Sequence, residues 1–183
     1  MLKLVHALDM NYDSVVDYYN AFEDKCSDLN NYAITKVKYG IEKYYKYIIK
    51  YEELMFYLVD TENENYILGY GSIEDSPELD FHEEYLDVGN IGYGVRPNER
   101  RKGYGSKILE LLLEKCEKRG MKEVCVSCGK GNIASQKIIV NHGGKFEKYF
   151  DDDLEGEGEK YWIKLHPSNK NIVKRYVKIK RDF

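Results

Sequence analysis

The stretch over residues 95–106 constrains the fold more than any other part of this sequence. A strand is predicted over 89–96 and stops at Pro97, a polar turn follows, and a strongly periodic helix is predicted over 103–119. The turn holds three consecutive cations and two glycines open the helix: Arg100, Arg101, Lys102, Gly103 and Gly105. Because the first turn of a helix presents free N–H groups and a partial positive charge, this pattern predicts an anion site at the helix N-terminus.

Two other phosphate-binding motifs do not fit this stretch. A P-loop requires G-x-x-x-x-G-K-[S/T], which the sequence lacks. A dinucleotide fingerprint requires G-x-G-x-x-G at the helix start, whereas Gly92 and Gly94 lie inside the predicted strand. The remaining alternative is a solvated turn whose basic side chains face water. The glycine spacing at a helix start favours the anion site over that alternative.

Apolar periodicity and turn residues predict the rest of the chain as helices and strands around one sheet. Strands are predicted over 2–7, 55–59, 67–73, 89–96, 123–127, 146–150 and 161–165, and helices over 11–26, 35–51, 103–119 and 132–142. A polar turn over 62–65 and an acidic hairpin over 151–159 separate two pairs of strands. This order predicts a mixed α/β protein of the α+β type.

Charge and composition narrow the classes of partner. The net charge of −4 argues against nucleic acid, although residues 167–183 are basic. No apolar run approaches the roughly 18 residues of a membrane helix. Neither a membrane partner nor a signal peptide is predicted, and we expect a cytoplasmic protein with reduced cysteines. Cys125 and Cys128 form a C-x-x-C with no second pair, so no metal site is predicted.

These motifs resemble those of the GCN5-related N-acetyltransferase (GNAT) superfamily. That family's [Q/R]-x-x-G-x-[G/A] motif matches the whole of residues 100–105. Its second motif, an Asn that opens a helix, is similar to Asn132 and the residues up to Ser135, and Gly143-Gly144 ends that helix. The order of elements over about residues 2–165 also resembles the family. The resemblance implies a GNAT-like single mixed sheet of about six to seven strands, flanked by helices and splayed at its centre.

The resemblance implies a domain organisation and a cosubstrate. A GNAT-like acetyltransferase domain would span 1–166, and 167–183 would form a basic C-terminal extension packed on the domain or at an interface. Acetyl-CoA would be the cosubstrate, with no metal. The pantetheine arm would pair with backbone groups of Tyr93, Gly94 and Val95. The pyrophosphate would lie against the residues of the first motif: Arg100, Arg101, Lys102, Gly103, Tyr104, Gly105 and Ser106.

The second motif would serve the arm and the thioester, with one departure from the family. Asn132 would hydrogen-bond the pantetheine, and Ser135 would lie near the thioester sulfur or the CoA arm. Many members carry a Tyr where this chain has Ile139, so protonation of the thiolate by that Tyr is excluded. Three candidates for the acid that protonates the thiolate stay open: Ser135, a water or another tyrosine. The candidate catalytic residues are Asp87, Tyr93 and Ser135, and the candidate bases are Glu84, Asp87 and His142.

The predicted reaction is acetyl transfer to a primary amine of a small cationic molecule, by direct attack in a ternary complex. Acidic segments over 74–87 and 151–159 predict a rim that attracts a polyamine, an aminoglycoside or a peptide amine, although solubility alone explains them equally well. Attack by an already neutral amine, without a base, stays open. Two other functions also stay open, namely acetylation of a protein or peptide and CoA binding by a sensor without turnover. A homodimer is a further possibility.

Overall fold

The computed structural model describes residues 1–22, 46, 54–74, 89–152 and 156–166 of the chain. Its strands are β1 (Leu2–His6), β2 (Leu54–Asp60), β3 (Asn63–Ile73), β4 (Ile91–Val95), β5 (Glu123–Gly129), β6 (Lys145–Asp152) and β7 (Gly156–Lys164). Its helices in these ranges are α1 (Tyr12–Asn20), α2 (Tyr104–Lys118) and α3 (Ile133–Asn141). The strands form one sheet in the order β1-β2-β3-β4-β5-β7-β6. Across the described ranges, no helix is long and apolar enough to cross a bilayer.

The sheet separates two apolar clusters. Neighbouring strands run antiparallel except β4 and β5, which are parallel. On one face, α2 and α3 pack against the middle of the sheet and form the larger cluster. On the other face, α1 packs against β2 and β3 through Val15, Tyr18 and Tyr19. The mixed α/β class and the single sheet predicted from the sequence are therefore confirmed.

Helix α2 forms the centre of the larger cluster because its apolar residues recur at helical spacing. Its stripe of Ile108, Leu109, Leu112 and Cys116 is fully buried. Gly71 on β3 lets this stripe approach the sheet, since a Cβ at that position would lie 2.7 Å from Leu112 Cδ1. Helix α2 is thereby fixed close to β3, and its N-terminus is held at the end of β4.

Several strand bounds differ from the sequence prediction. β3 begins at Asn63, so the turn before it is shorter than predicted. β5 continues to Gly129, and β7 begins at Gly156 instead of 161. The acidic, glycine-containing start of β7 has low strand propensity, but it lies between β5 and β6 and pairs with both. The predicted helix over 35–51, most of 74–87 and the extension over 167–183 lie outside the described residues.

Candidate functional site

β4 and β5 separate directly after the first residue of β4, and this separation creates a slot. The two strands share the single ladder pair Ile91 and Val126, preceded by a bridge from Gly89 to Val126. Asn90 fixes the point of separation, since its N–H donates to Cys125 O at 2.8 Å and its Oδ1 accepts from the Cys125 N–H at 3.0 Å. Beyond this point the described parts of β4 and β5 share no further ladder pair, so the slot opens toward their C-terminal ends.

We expect Asn90→Ala to lower the free energy of unfolding by about 1–3 kcal/mol, because the buried Cys125 N–H would lose its acceptor. Chemical denaturation measures this difference. Asn65→Ala, at an exposed position on β3, is the control and should change stability by less than about 0.5 kcal/mol. Equal losses in the two variants would contradict the role given to Asn90.

Side chains from three elements meet in the slot. Strand alternation places Tyr93 on the same face as Ile91, and Cys128 on the same face as Val126. The Tyr93 hydroxyl lies 2.7 Å from Ser135 Oγ on α3. The Ser135 side chain also hydrogen-bonds the Cys128 side chain. Ser135 therefore connects the β4 wall of the slot to the β5 wall.

Burial keeps the hydroxyl and the thiol of this cluster protonated. It raises the pKa of Tyr93 to about 12, and the Ser135 hydrogen bond offsets this only in part. Burial also raises the pKa of Cys128 to about 11, with the negative charge of Glu159 adding to the effect. At neutral pH, Tyr93 is thus a neutral hydrogen-bond donor, and Cys128 is a thiol instead of a thiolate nucleophile.

The turn before α2 forms an open, concave backbone surface, which we call the cradle (residues 100–106). Arg101 and Gly103 have positive φ angles of 66° and 86°, and positive-φ residues recur in backbone turns that bind anions. No side chain caps α2 among the described residues, and the first helical N–H groups, over 104–106, precede the intrahelical ladder. A Cβ on Gly103 would meet nothing within 4 Å, so the space before the helix is open.

The cations of the cradle lie at the surface. Arg100 is exposed, and its Nε is 3.5 Å from Val95 O. Lys102 Nζ pairs with Glu99 at 2.8 Å, and this pairing raises the pKa of Lys102, which keeps its positive charge. Glu99 also accepts a hydrogen bond from Tyr66 OH at 3.1 Å. The cradle is therefore held against β3 by side chains as well as by the backbone.

Arg96, which the sequence did not single out, fixes the other end of this turn. Its side chain is 9% exposed, donates to Asp17 Oδ2 on α1 at 2.9 Å and lies over the Tyr66 ring at 4.4 Å. Its backbone N–H donates to Leu68 O at 2.9 Å. Nothing local in the sequence indicates this role, because the partner is 79 residues away.

The β3–β4 register sets the direction of the β4 backbone groups. Because the Arg96 N–H donates to β3, alternation also turns the Gly94 N–H toward β3, opposite Tyr70. The same alternation turns the N–H groups of Tyr93 and Val95 toward the slot. Two of the three predicted backbone positions on β4 thus face the slot.

The other predicted residues divide between the slot and elsewhere. Asn132 caps α3, since its Oδ1 accepts from the Ser135 N–H at 3.2 Å. His142 Nδ1 lies 2.8 Å from Ile138 O, so this ring contacts the end of its own helix. Ile139 is fully buried in the core. Asp87 and Glu84 lie outside the described residues.

A second pair of polar side chains flanks the β5 wall. Glu159 lies directly opposite Cys128 in the β5–β7 pair. The Tyr161 hydroxyl donates to Glu159 Oε2. Glu159 falls within the acidic hairpin predicted over 151–159, so the prediction missed this pair. A strand that began at 156 would have placed Glu159 and Tyr161 on one face.

Comparison with known proteins places the chain in a family. A family model described as the acetyltransferase (GNAT) family matches residues 14–143. No curated protein matches the sequence. The solved ribosomal-protein-alanine N-acetyltransferase from Brucella melitensis is similar, with 15% identity, a TM-score of 0.64, and 90% of this chain and 99% of that chain covered.

Two further solved structures show the same similarity. An N-acetyltransferase from Staphylococcus aureus Mu50 has 14% identity and a TM-score of 0.59, with 91% and 98% of the two chains covered. A Salmonella typhimurium protein solved with its cofactor acetyl-CoA has 14% identity and a TM-score of 0.58, with 92% and 95% covered. These identities show a shared fold alone, whereas the family model spans β4, α2, β5 and α3. The chain belongs to the GNAT family of acetyltransferases.

Proposed function

We propose that this chain transfers an acetyl group from acetyl-CoA to the primary amine of a small cationic molecule, by direct attack in a ternary complex. The observation that carries the proposal is the slot between β4 and β5, which opens at the strand ends next to the cradle. Membership of the GNAT family and the relative solved with acetyl-CoA support it. A thioester arm in the slot and a pyrophosphate in the cradle would belong to one cosubstrate.

The cradle would hold the pyrophosphate. Its open N–H groups over 104–106 and the dipole of α2 favour an anion, and Arg100, Arg101 and Lys102 add positive charge. The slot-facing backbone groups of Tyr93 and Val95 would pair with the amides of the pantetheine arm. The Asn132 side chain, whose Oδ1 caps α3, would hydrogen-bond the same arm through its amide NH₂.

Tyr93 and Ser135 would act where the thioester breaks. A neutral donor aimed at the leaving sulfur stabilises the charge that develops there. The Tyr93 hydroxyl, with a pKa raised to about 12, is such a donor, and Ser135 Oγ holds it at 2.7 Å. This pair would replace the tyrosine that the family carries at the position of Ile139.

We place the acceptor amine in a cavity whose charge and size favour a small cation. Beside the ends of β5, β6 and β7 lies a cavity of about 280 Å³, close to the lower limit for small-molecule pockets. Its lining includes Asp151, Glu157 and one cation, Lys130, which pairs with Glu157. The negative surplus there favours a positively charged amine. Because the Brucella relative is named a ribosomal-protein-alanine N-acetyltransferase, we also test the amine of a peptide that begins with alanine.

Two measurements test this function in order. Calorimetry with acetyl-CoA comes first, and we expect saturable binding that inorganic pyrophosphate weakens. Release of the CoA thiol is then followed with spermidine, an aminoglycoside, lysine and a peptide that begins with alanine. Release with a small cationic amine supports the proposal, release with the peptide alone supports the protein-acetylating alternative, and binding without any release identifies a CoA-binding module.

A further inference from the structure

We infer that Glu159 on β7 is the base that takes the proton from the attacking amine, and that Tyr161 is the residue that positions it. The inference rests on the proposed function and names the proton acceptor of that reaction. The Glu159 carboxylate lies within the described sheet, one strand away from the slot.

The position of Glu159 supports its role as the base. Glu159 and Cys128 lie opposite each other in an antiparallel pair, and neighbouring strands are about 4.8 Å apart. Cys128 is on the β5 wall and shares a hydrogen bond with Ser135, which in turn contacts Tyr93. Directly opposite residues of an antiparallel pair point to the same face, and the negative charge of Glu159 contributes to the raised pKa of Cys128. The carboxylate is therefore one strand away from the slot.

The orientation of the Glu159 carboxylate supports the same role. Tyr161 is 5% exposed and packs edge-on against the Phe146 ring, with centroids 5.7 Å apart. Its hydroxyl donates to Glu159 Oε2, which leaves Oε1 available to an amine. Burial, and next the hydrogen bond to Glu159, raise the pKa of Tyr161, so the hydroxyl remains a donor at neutral pH. A carboxylate fixed in this way loses little rotational freedom when the amine arrives.

Neighbouring candidates are placed less well for this step. Glu157 lies on the same face of β7, two residues farther from the core, and is held in an ion pair with Lys130. His142 contacts the carbonyl of Ile138 at the end of α3. Glu123 serves as the matched control for Glu159, because it is an exposed glutamate at the first position of β5 and lines neither the slot nor the acceptor cavity.

The proton balance is complete without another reactant. One ammonium proton passes to Glu159, the freed nitrogen forms a bond to the thioester carbon, and the C–S bond breaks with its electron pair on sulfur. The second nitrogen proton neutralises the thiolate, which the Tyr93 hydroxyl solvates meanwhile. Glu159 then returns its proton to water, and the products are the amide, the CoA thiol and one proton.

The test compares nucleophiles that need a base with one that does not. Thiol release from acetyl-CoA is measured with spermidine, with water alone, and with hydroxylamine, which is already neutral at pH 7. We expect Glu159→Gln to slow release with spermidine or water at least about tenfold, and release with hydroxylamine by less than about threefold. Gln keeps an acceptor for Tyr161, so the affinity for acetyl-CoA and the thermal unfolding midpoint should stay unchanged.

Two more variants complete the test. Glu123→Gln should leave all three rates unchanged, and Tyr161→Phe should lower the ratio of spermidine to hydroxylamine rates in the same direction as Glu159→Gln. An unchanged ratio in Glu159→Gln, with an active wild type, overturns the assignment of the base alone. A wild type that binds acetyl-CoA but releases thiol with none of the three nucleophiles overturns both the base and the enzyme. Failure to bind acetyl-CoA overturns the proposed function at its first step.

Discussion

Gly103→Asp is expected to weaken acetyl-CoA binding at least about 100-fold, as measured by calorimetry. The side chain would enter the open space before α2, where no atom lies within 4 Å of a Cβ at this position. It would cap the helix N–H groups and put a negative charge where the pyrophosphate is expected. Loss of hydrogen bonds to a charged group costs about 1.5–3 kcal/mol each, so losing one or two accounts for this factor.

Gly143→Asp separates this effect from backbone strain. Gly143 has the same φ of 86° as Gly103, and a Cβ there also meets nothing within 4 Å. Both variants should lose about 1–2 kcal/mol of stability, because each forces a side chain into the left-handed region. Only the Gly103 variant should lose acetyl-CoA. Equal binding by the two variants would show that the cradle does not hold the pyrophosphate.

Tyr93→Phe is expected to lower the rate of thiol release supported by hydroxylamine about 100-fold, with little change in the affinity for acetyl-CoA. The substitution keeps the ring that forms the β4 wall and removes the hydroxyl 2.7 Å from Ser135. Removal of one donor to a developing charge typically costs about 100- to 1,000-fold in rate. Steady-state kinetics, together with calorimetry, separates the rate from the binding.

Tyr57→Phe is the matched control for this variant. Tyr57 is fully buried on the opposite face of the sheet, and its hydroxyl lies 3.3 Å from that of Tyr19. Each variant thus loses one hydroxyl-to-hydroxyl hydrogen bond, which costs about 1 kcal/mol of stability. If Tyr93→Phe releases thiol at the wild-type rate, or if Tyr57→Phe lowers this rate equally, the Tyr93 hydroxyl has no role in the reaction.

The cradle and α2 were predictable because their determinants are local. The cations, the two glycines and the apolar stripe lie within one short stretch, and α2 runs from Tyr104 to Lys118 against a prediction of 103–119. The fold class followed from element order, and the family match agrees with the resemblance. Which side chains act in the cradle and the slot stays a prediction.

The β5 side of the site was not predictable in the same way. Glu159 meets Cys128 only through the pairing of β5 with β7, and glycines and acids at the start of β7 resemble a loop. Arg96 depends on Asp17, which is far away in the sequence. Sequence periodicity indicates the face of an element, whereas these contacts depend on which strands become neighbours.

The sparse pairing of β4 with β5 also bears on how such a protein can evolve. In the proposed function, residues 91–118 bind the cosubstrate, and residues 145–166 contact the acceptor amine. In the sheet, β5 lies between these two blocks, and Ile91 and Val126 are the only ladder pair between β4 and β5 among the described residues. A substitution in one block therefore transmits little strain to the other. Acceptor preference can therefore drift through changes in the last hairpin, while selection keeps the same acyl donor.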